Sequence, residues 1–265
     1  MDADAAERVA MDDEPECEGF ERFDRGDVRY KIGTDRAPHM SPRGSIRGSP
    51  WSNGVAYVRW RPAEVEERAT ELIGMFREKG LPFTWAIGPN TDAPGLAAVL
   101  ASRGLHKEID ALILTAKIPI RGRLPLHDLR LVEEQDERTA TDALRIDREL
   151  GGEELRERIQ KRLAYLRCPS RRGGGVVAYR RDQAVGSGGW RYGTDGDSVY
   201  LHAAHTLRPH RHTGVYTAIL GWRLERAVKD GKTTAVVVAE RSSSAPILMR
   251  KGFREIGAQQ IWMMV

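Results

Sequence analysis

The sequence predicts an α/β protein of the α+β kind, in which one complete strand-and-helix unit follows a truncated copy of that unit's second half. Three observations carry this expectation. Short runs rich in Val and Ile alternate with amphipathic helical stretches from Trp51 onward. The order helix, glycine, strand, Ala-Pro, helix, glycine-apolar, strand occurs twice, so that Ala93-Pro94 answers to Ala245-Pro246 and Arg103-Gly104-Leu105 to Lys251-Gly252-Phe253. Only the second occurrence has a complete set of strands upstream. The chain of 265 residues has room for one full domain and something smaller, since a domain runs to about 150 residues.

Residues 1–50 pass from an acidic stretch (Asp12-Asp13-Glu14-Pro15-Glu16) to one rich in Arg, Gly, Ser and Pro (Ser41-Pro42-Arg43-Gly44-Ser45). They show no sustained apolar period and are expected to form a mostly disordered tail. Val55 to Trp60 reads as a strand. The next helix opens at Pro62, closes at Gly80 and has an apolar face of Val65, Ala69, Leu72, Ile73 and Phe76. A strand Phe83–Ile87, a turn at Gly88-Pro89-Asn90, a helix from Pro94 to about Arg103 and a strand Ile109–Ala116 complete the truncated copy, residues 51–120. A linker, Arg121–Pro125, leads into the second unit, residues 124–265. There the pattern gives a strand Leu129–Val132, then a helical region broken at Gly151-Gly152 and resuming through Tyr165. Strands follow over Val176–Tyr179, Ala184–Trp190 and Val199–Ala204. A helix from about Tyr216 to Lys229, a strand Thr234–Ala239, a short helix after Ala245-Pro246 and a last strand near Ile261–Met264 close the chain.

With 40% hydrophobic and 30% charged residues the chain as a whole is neither disordered nor membrane-embedded. The net charge of +4 sums unlike parts: residues 1–24 hold ten acids against two bases, so the folded remainder is distinctly basic. Such a surface favours anionic partners, phosphorylated small molecules among them. Cys17 and Cys168 are far apart and lack CxxC spacing, so neither a disulfide framework nor a thiolate zinc site is expected, and a reducing cytoplasm fits. The acidic N-terminus does not read as a signal peptide, and no apolar run approaches the roughly 18 residues of a spanning helix. A cytoplasmic protein with no membrane partner is therefore expected.

The segment from Tyr200 to Leu220 carries the chemistry. A strand with Tyr200, His202 and His205 runs into a basic turn, Arg208-Pro-His-Arg211-His-Thr-Gly214, and a helix begins immediately. Free N–H groups at a helix start, the positive end of its dipole and two flanking arginines together suit a phosphate, although such a glycine can also serve only as a sharp turn. Four of the seven histidines, His202, His205, His210 and His212, crowd this stretch. Strand alternation puts His202 and His205 on opposite faces, so no zinc site is expected. The serines at 242–244 lack a G-x-S-x-G elbow, which excludes a hydrolase triad. Arg171-Arg172 has no nucleic-acid fold signature beside it, so nucleic acid is not an expected partner.

On Arg211-His212-Thr213-Gly214-Val215-Tyr216, and on the short helix leading to Gly252-Phe253, the segment from Leu124 to Val265 resembles the GNAT superfamily of acetyl-CoA-dependent N-acetyltransferases. The loop matches that family's Arg/Gln-x-x-Gly-x-Gly/Ala at the arginine and first glycine and departs from it at Tyr216. The resemblance implies a mixed, mainly antiparallel sheet of the acyl-CoA N-acyltransferase type, whose central strands splay to admit the pantetheine arm. Acetyl-CoA would be the co-substrate, without a metal, held along Thr206, Leu207, Arg208, Arg211, His212, Thr213, Gly214, Val215 and Tyr216, with Ser243 and Ser244 near the pantetheine. The acceptor would be a primary amine of a small molecule, attacking directly in a ternary complex. Tyr200, His202 and His205 are candidate bases, because a neutral imidazole removes protons near neutral pH. The family's usual acid, a tyrosine four residues before the Gly-Phe glycine, is replaced by Leu248, so Tyr216 or water takes its place, or the domain binds acyl-CoA without catalysis. The first copy lacks a phosphate loop: its helix opens at Arg61-Pro62-Ala63-Glu64, with no glycine. It is expected to extend the sheet and to help wall the acceptor pocket, with Trp60 and Trp85 as pocket or core residues.

Overall fold

A computed structural model describes residues 1–33, 50–120, 128–147 and 152–265. The expected linker and the break at Gly151 lie outside these residues. The chain opens with α1 (Ala3–Ala10), α2 (Pro15–Glu18) and the hairpin β1 (Phe20–Asp24) and β2 (Arg29–Gly33). Then come β3 (Gly54–Ala56), α3 (Val65–Glu78), β4 (Phe83–Ile87), α4 (Leu96–Ser102) and β5 (His106–Lys117). The second unit contains β6 (Leu129–Glu133), α5 (Glu137–Asp147), α6 (Gly152–Arg167), β7 (Gly173–Arg180), β8 (Gln183–Tyr192) and β9 (Ser198–Thr206). It ends with α7 (Val215–Lys229), β10 (Thr234–Glu240), α8 (Ser244–Met249) and β11 (Arg254–Met264).

The eleven strands of the described residues form one sheet in the order β1-β2-β3-β4-β11-β5-β10-β9-β8-β7-β6. The centre is exchanged between the units: β11 lies between β4 and β5, and β5 lies between β11 and β10. Each unit's last strand thus pairs antiparallel with the penultimate strand of the other, so neither unit keeps a complete sheet without its partner. The sheet is mixed and mainly antiparallel. Its parallel ladders are β3 with β4 and β9 with β10.

The helices lie where their apolar stripes require. Val65, Ala69, Leu72, Ile73 and Phe76 of α3 are buried with Phe83 and Trp85 of β4, and the rings of Phe76 and Phe83 stack at 4.3 Å. Trp60 and Trp85 meet edge to face at 6.1 Å inside this cluster, so both are core residues. On α7, Val215, Ile219 and Leu220 pack on β8. Gly186 and Gly188 make that approach possible: a Cβ at Gly186 would lie 2.6 Å from Val215, and one at Gly188 2.8 Å from Ile219.

The expected disordered tail is corrected for residues 1–33, which are folded; residues 34–49 of that stretch lie outside the described residues. Composition misleads here because the segment's few apolar residues are spaced for one helix face. Ala6 and Val9 of α1 pack on Ile113 and Val236 of the sheet centre. Between them Glu7, fully buried, accepts hydrogen bonds from the Asn90 backbone at 2.6 Å, Asn90 Nδ2 at 2.7 Å and Gln259 Nε2 at 3.2 Å. The cysteine expectation is corrected too: Cys17 and Cys168 form a disulfide, with Cα atoms 5.6 Å apart. Sequence spacing could not show this, because α2 reaches the end of α6 only once the acidic segment folds across the molecule.

Candidate active site

The β9–β10 ladder holds for three pairs, ending at Tyr200–Val236. Beyond that point β9 leaves β10. The cause is a bulge: β9 shifts register against β8 between the pairs Ser187–His205 and Gly189–His202, and Ala203 takes a left-handed φ of 46°. β10 keeps its pairing with β5 up to Glu240, so only β9 moves away and a cleft opens between the strands. The first unit repeats this device. Its β3–β4 ladder ends at Val55–Trp85, and Tyr57 follows with φ 57°.

The bulge also corrects the histidine argument. Strand alternation fails across it. His202 pairs with Gly189 and His205 with Ser187, residues two apart on β8, so both histidines share one face. Among the described residues no group of three or more His, Cys, Asp or Glu side chains gathers as a metal would need.

Above the open end of the cleft the chain wraps into α7. His212 and Gly214 both have left-handed φ, 62° and 84°, which turns the backbone sharply just ahead of the helix. The first helical bond runs from Ala218 N–H to the Gly214 carbonyl at 3.0 Å, leaving the donors of Val215, Tyr216 and Thr217 at the open end. Arg208, Arg211, His212 and Thr213 are exposed on the rim. The Arg211 Nε donates to the Thr206 carbonyl at 3.2 Å, which ties the turn to β9, and the Leu207 N–H bonds Val185 at 3.0 Å. Arg180 of β7 adds a cation that sequence reading did not single out: its Nη1 lies 3.4 Å from Thr213 Oγ1. The first unit's helix start is closed instead. There Glu64 Oε2 accepts the Arg61 N–H at 3.1 Å, so an acid fills the place a phosphate would take.

Below the turn the cleft joins a cavity of about 1120 Å³. Of the proposed catalytic residues Tyr200, His202, His205 and Tyr216 all line it, and so does Ser244 of the proposed cofactor contacts. Ser243 does not; its hydroxyl donates to Glu240 Oε2 at 2.7 Å. The cavity is walled further by the N-terminal segment, with Asp13, Glu14 and Glu18 from around α2, and by Tyr57 of the first unit. Sequence reading missed these acids because their residue types and spacing suit a solvated tail.

Electrostatics separate the candidates. The Tyr200 and His202 rings stack at 5.5 Å. Burial and the cations of Arg191, Arg162 and Arg223 push the His202 pKa down to about 3, so the imidazole is neutral at physiological pH. Burial raises the phenols of Tyr200 and Tyr216. Burial and the neighbouring Asp13 raise the carboxyl of Glu18, which pairs with Arg191 at 3.2 Å. That guanidinium in turn lies 5.5 Å from the centre of the Tyr200 ring. Leu248 is fully buried in the core and supplies no proton.

This geometry has counterparts among solved structures. The chain superposes on a GCN5-related N-acetyltransferase from Kribbella flavida with a TM-score of 0.65 and 16% identity, covering 92% of this chain and 89% of that one. A GCN5-related N-acetyltransferase from Sphaerobacter thermophilus aligns with a TM-score of 0.58 and 15% identity over 99% and 90% of the two chains. A tandem GNAT protein from the clavulanic acid biosynthesis pathway aligns with a TM-score of 0.59 and 15% identity over 89% and 78%. No family model and no curated protein matches the sequence. The chain has the GNAT acetyltransferase fold, and its likeness to a tandem protein accords with two related units in one sheet. Among the described residues no helix is long and apolar enough to cross a membrane.

Proposed function

We propose that the protein transfers acetyl from acetyl-CoA to a primary amine of a small molecule by direct attack in a ternary complex. One observation carries this reading: the cleft between β9 and β10 opens directly beneath a helix start whose N–H groups are turned outward by Gly214. The pyrophosphate binds the turn from Arg211 to Tyr216, and the pantetheine arm descends the cleft. Acetyl-CoA supplies an activated thioester. The fit is local as well as topological, because no side chain caps the Gly214 turn and Arg180, Arg208 and Arg211 flank it.

The amine nitrogen attacks the thioester carbon, the C–N bond forms, the C–S bond breaks and the sulfur leaves with the electron pair; the acylated nitrogen gives up its extra proton to water, which returns one to the thiolate. His202 accepts a hydrogen bond from the amine and orients it. With a pKa near 3 it is too weak a base to take the ammonium proton, because each pKa unit of mismatch costs about 1.4 kcal/mol. The Glu18 carboxylate, in the same cavity and raised by burial, is the better acceptor for that proton. The acids of the N-terminal segment suit a cationic acceptor on the opposite side of the cavity from the phosphate turn.

Leu248 at the place of the usual acid favours a second reading, a non-catalytic acyl-CoA-binding module. A thiol-release assay with acetyl-CoA and a panel of small amines separates the two. Amine-dependent thiol release supports the enzyme, and saturable CoA binding without turnover on any amine supports the module.

A further inference from the structure

Arg223 stands two turns into α7 and is only 2% exposed. Its Nη1 donates to the carbonyls of Gly189 at 2.8 Å and His202 at 3.2 Å, and its Nε to the Ile219 carbonyl at 3.4 Å. Those first two carbonyls flank the β9 bulge, so the side chain holds open the strand that makes the cleft. No carboxylate pairs with it among the described residues; the one titratable group acting on it is the Tyr216 phenol. A buried cation without an anion costs several kcal/mol, more than carbonyl contacts return, whereas an apolar side chain would fill the space without that penalty.

Its position gives the charge a use. Val215 to Arg223 is eight residues, about 12 Å along a helix, so a chain hung from the turn at Gly214 and running down the cleft comes level with the guanidinium before the closed end at Tyr200–Val236. Arg223 lines the cavity there. The groups facing this point are Tyr216, on the same side of α7 seven residues earlier, and His202 on β9, with Arg191 of β8 and Arg162 of α6 acting on the imidazole. Arg191 and Arg162 have acids of their own, Glu18 at 3.2 Å and Glu134 at 2.6 Å. Arg223 does not.

Resting on the acetyl-CoA reading of the cleft, we propose that Arg223 is the counter-charge for the departing thiolate, taking over part of the task that Leu248 cannot perform. As the C–N bond forms and the C–S bond breaks, the electron pair goes to sulfur and negative charge grows beside the buried Arg223 cation, which no carboxylate pairs among the described residues. The thiolate later takes its proton from water. Arg223 donates no proton; it acts through the field it imposes on the sulfur.

The test is the pKa of the CoA thiol in its binary complex, read from ultraviolet thiolate absorbance against a desulfo-CoA blank. In the unmodified protein the bound thiol should titrate about one to two units below free CoA. Arg223→Met, read at saturating CoA so that any loss of affinity does not enter, should abolish that shift, because a merely structural role would move affinity and leave the thiol of bound CoA alone. Arg223→Lys keeps the charge and a donor for the Gly189 and His202 carbonyls, and it should retain a measurable part of the shift. An unshifted thiol in bound CoA, or a full shift surviving in Arg223→Met, overturns this proposal alone. Failure of the unmodified protein to bind CoA overturns it together with the acetyl-CoA reading.

Discussion

Glu7→Ala tests whether the N-terminal segment belongs to the fold. Glu7 is fully buried and accepts three hydrogen bonds, from the Asn90 N–H at 2.6 Å, Asn90 Nδ2 at 2.7 Å and Gln259 Nε2 at 3.2 Å. Truncation strands those donors, each at about 1–3 kcal/mol. The cost is partly offset because the carboxylate itself is relieved of a desolvation penalty. A net loss of about 2–4 kcal/mol follows, and at about 2–4 °C per kcal/mol for a chain of this size the thermal midpoint should fall by roughly 4–16 °C. Circular dichroism melting of Glu7→Ala beside the parent protein measures it. Burial raises the Glu7 pKa, so the folded state binds its proton more readily than the unfolded chain does. Its contribution is complete below the unfolded value and declines as pH rises through the folded one. The parent protein's stability relative to Glu7→Gln should therefore decrease as pH rises above the ordinary carboxylate range. A Glu7→Ala midpoint indistinguishable from the parent would refute the seating of α1 on the sheet.

Three further outcomes can be checked. Gly188→Ala places a methyl 2.8 Å from Ile219 Cγ2; overpacking of this kind costs about 1–3 kcal/mol, so chemical denaturation should show a lower midpoint, and acetyl-CoA affinity should weaken as α7 is pushed from its seat. Cys17→Ser removes a link across 151 residues and should lower stability by about 2–4 kcal/mol under non-reducing conditions, with the difference vanishing once the parent is reduced. His202→Gln should lower kcat without moving the acid limb of the pH–rate profile, because a pKa near 3 keeps the imidazole neutral throughout; a limb that disappears in this variant would make His202 the titrating base.

Much of the second unit was legible in the sequence because local signals agreed with the tertiary result. The run from Tyr200 through Gly214 into α7 needed only a strand, a turn requiring left-handed φ and an apolar helix face. The strand Phe83–Ile87 was located to the residue for the same reason. The exchange of β5 and β11 was not legible, since antiparallel pairing partners leave no mark on periodicity, and both strands read correctly as strands with their neighbours unknown. Nor were the acids of α2, whose place on the cavity wall depends on long-range contacts such as Glu14 with Tyr165 at 2.7 Å. His202 and His205 were misplaced relative to each other because alternation holds only for unbroken ladders, and the β9 bulge leaves no sequence signal beyond Ala203-Ala204. Arg223 looked like an ordinary helical arginine; only its burial sets it apart.

The most direct measurement is calorimetric titration of acetyl-CoA into the protein and into Arg211→Glu, repeated at low and high salt. The turn at Gly214 should bind one acetyl-CoA per chain. Because Arg211 is exposed and screened, reversing its charge should weaken binding by about 1–2 kcal/mol, roughly 5- to 30-fold, with the gap narrowing as salt rises. Equal affinity in both proteins at low salt would contradict the placement of the pyrophosphate at this helix start.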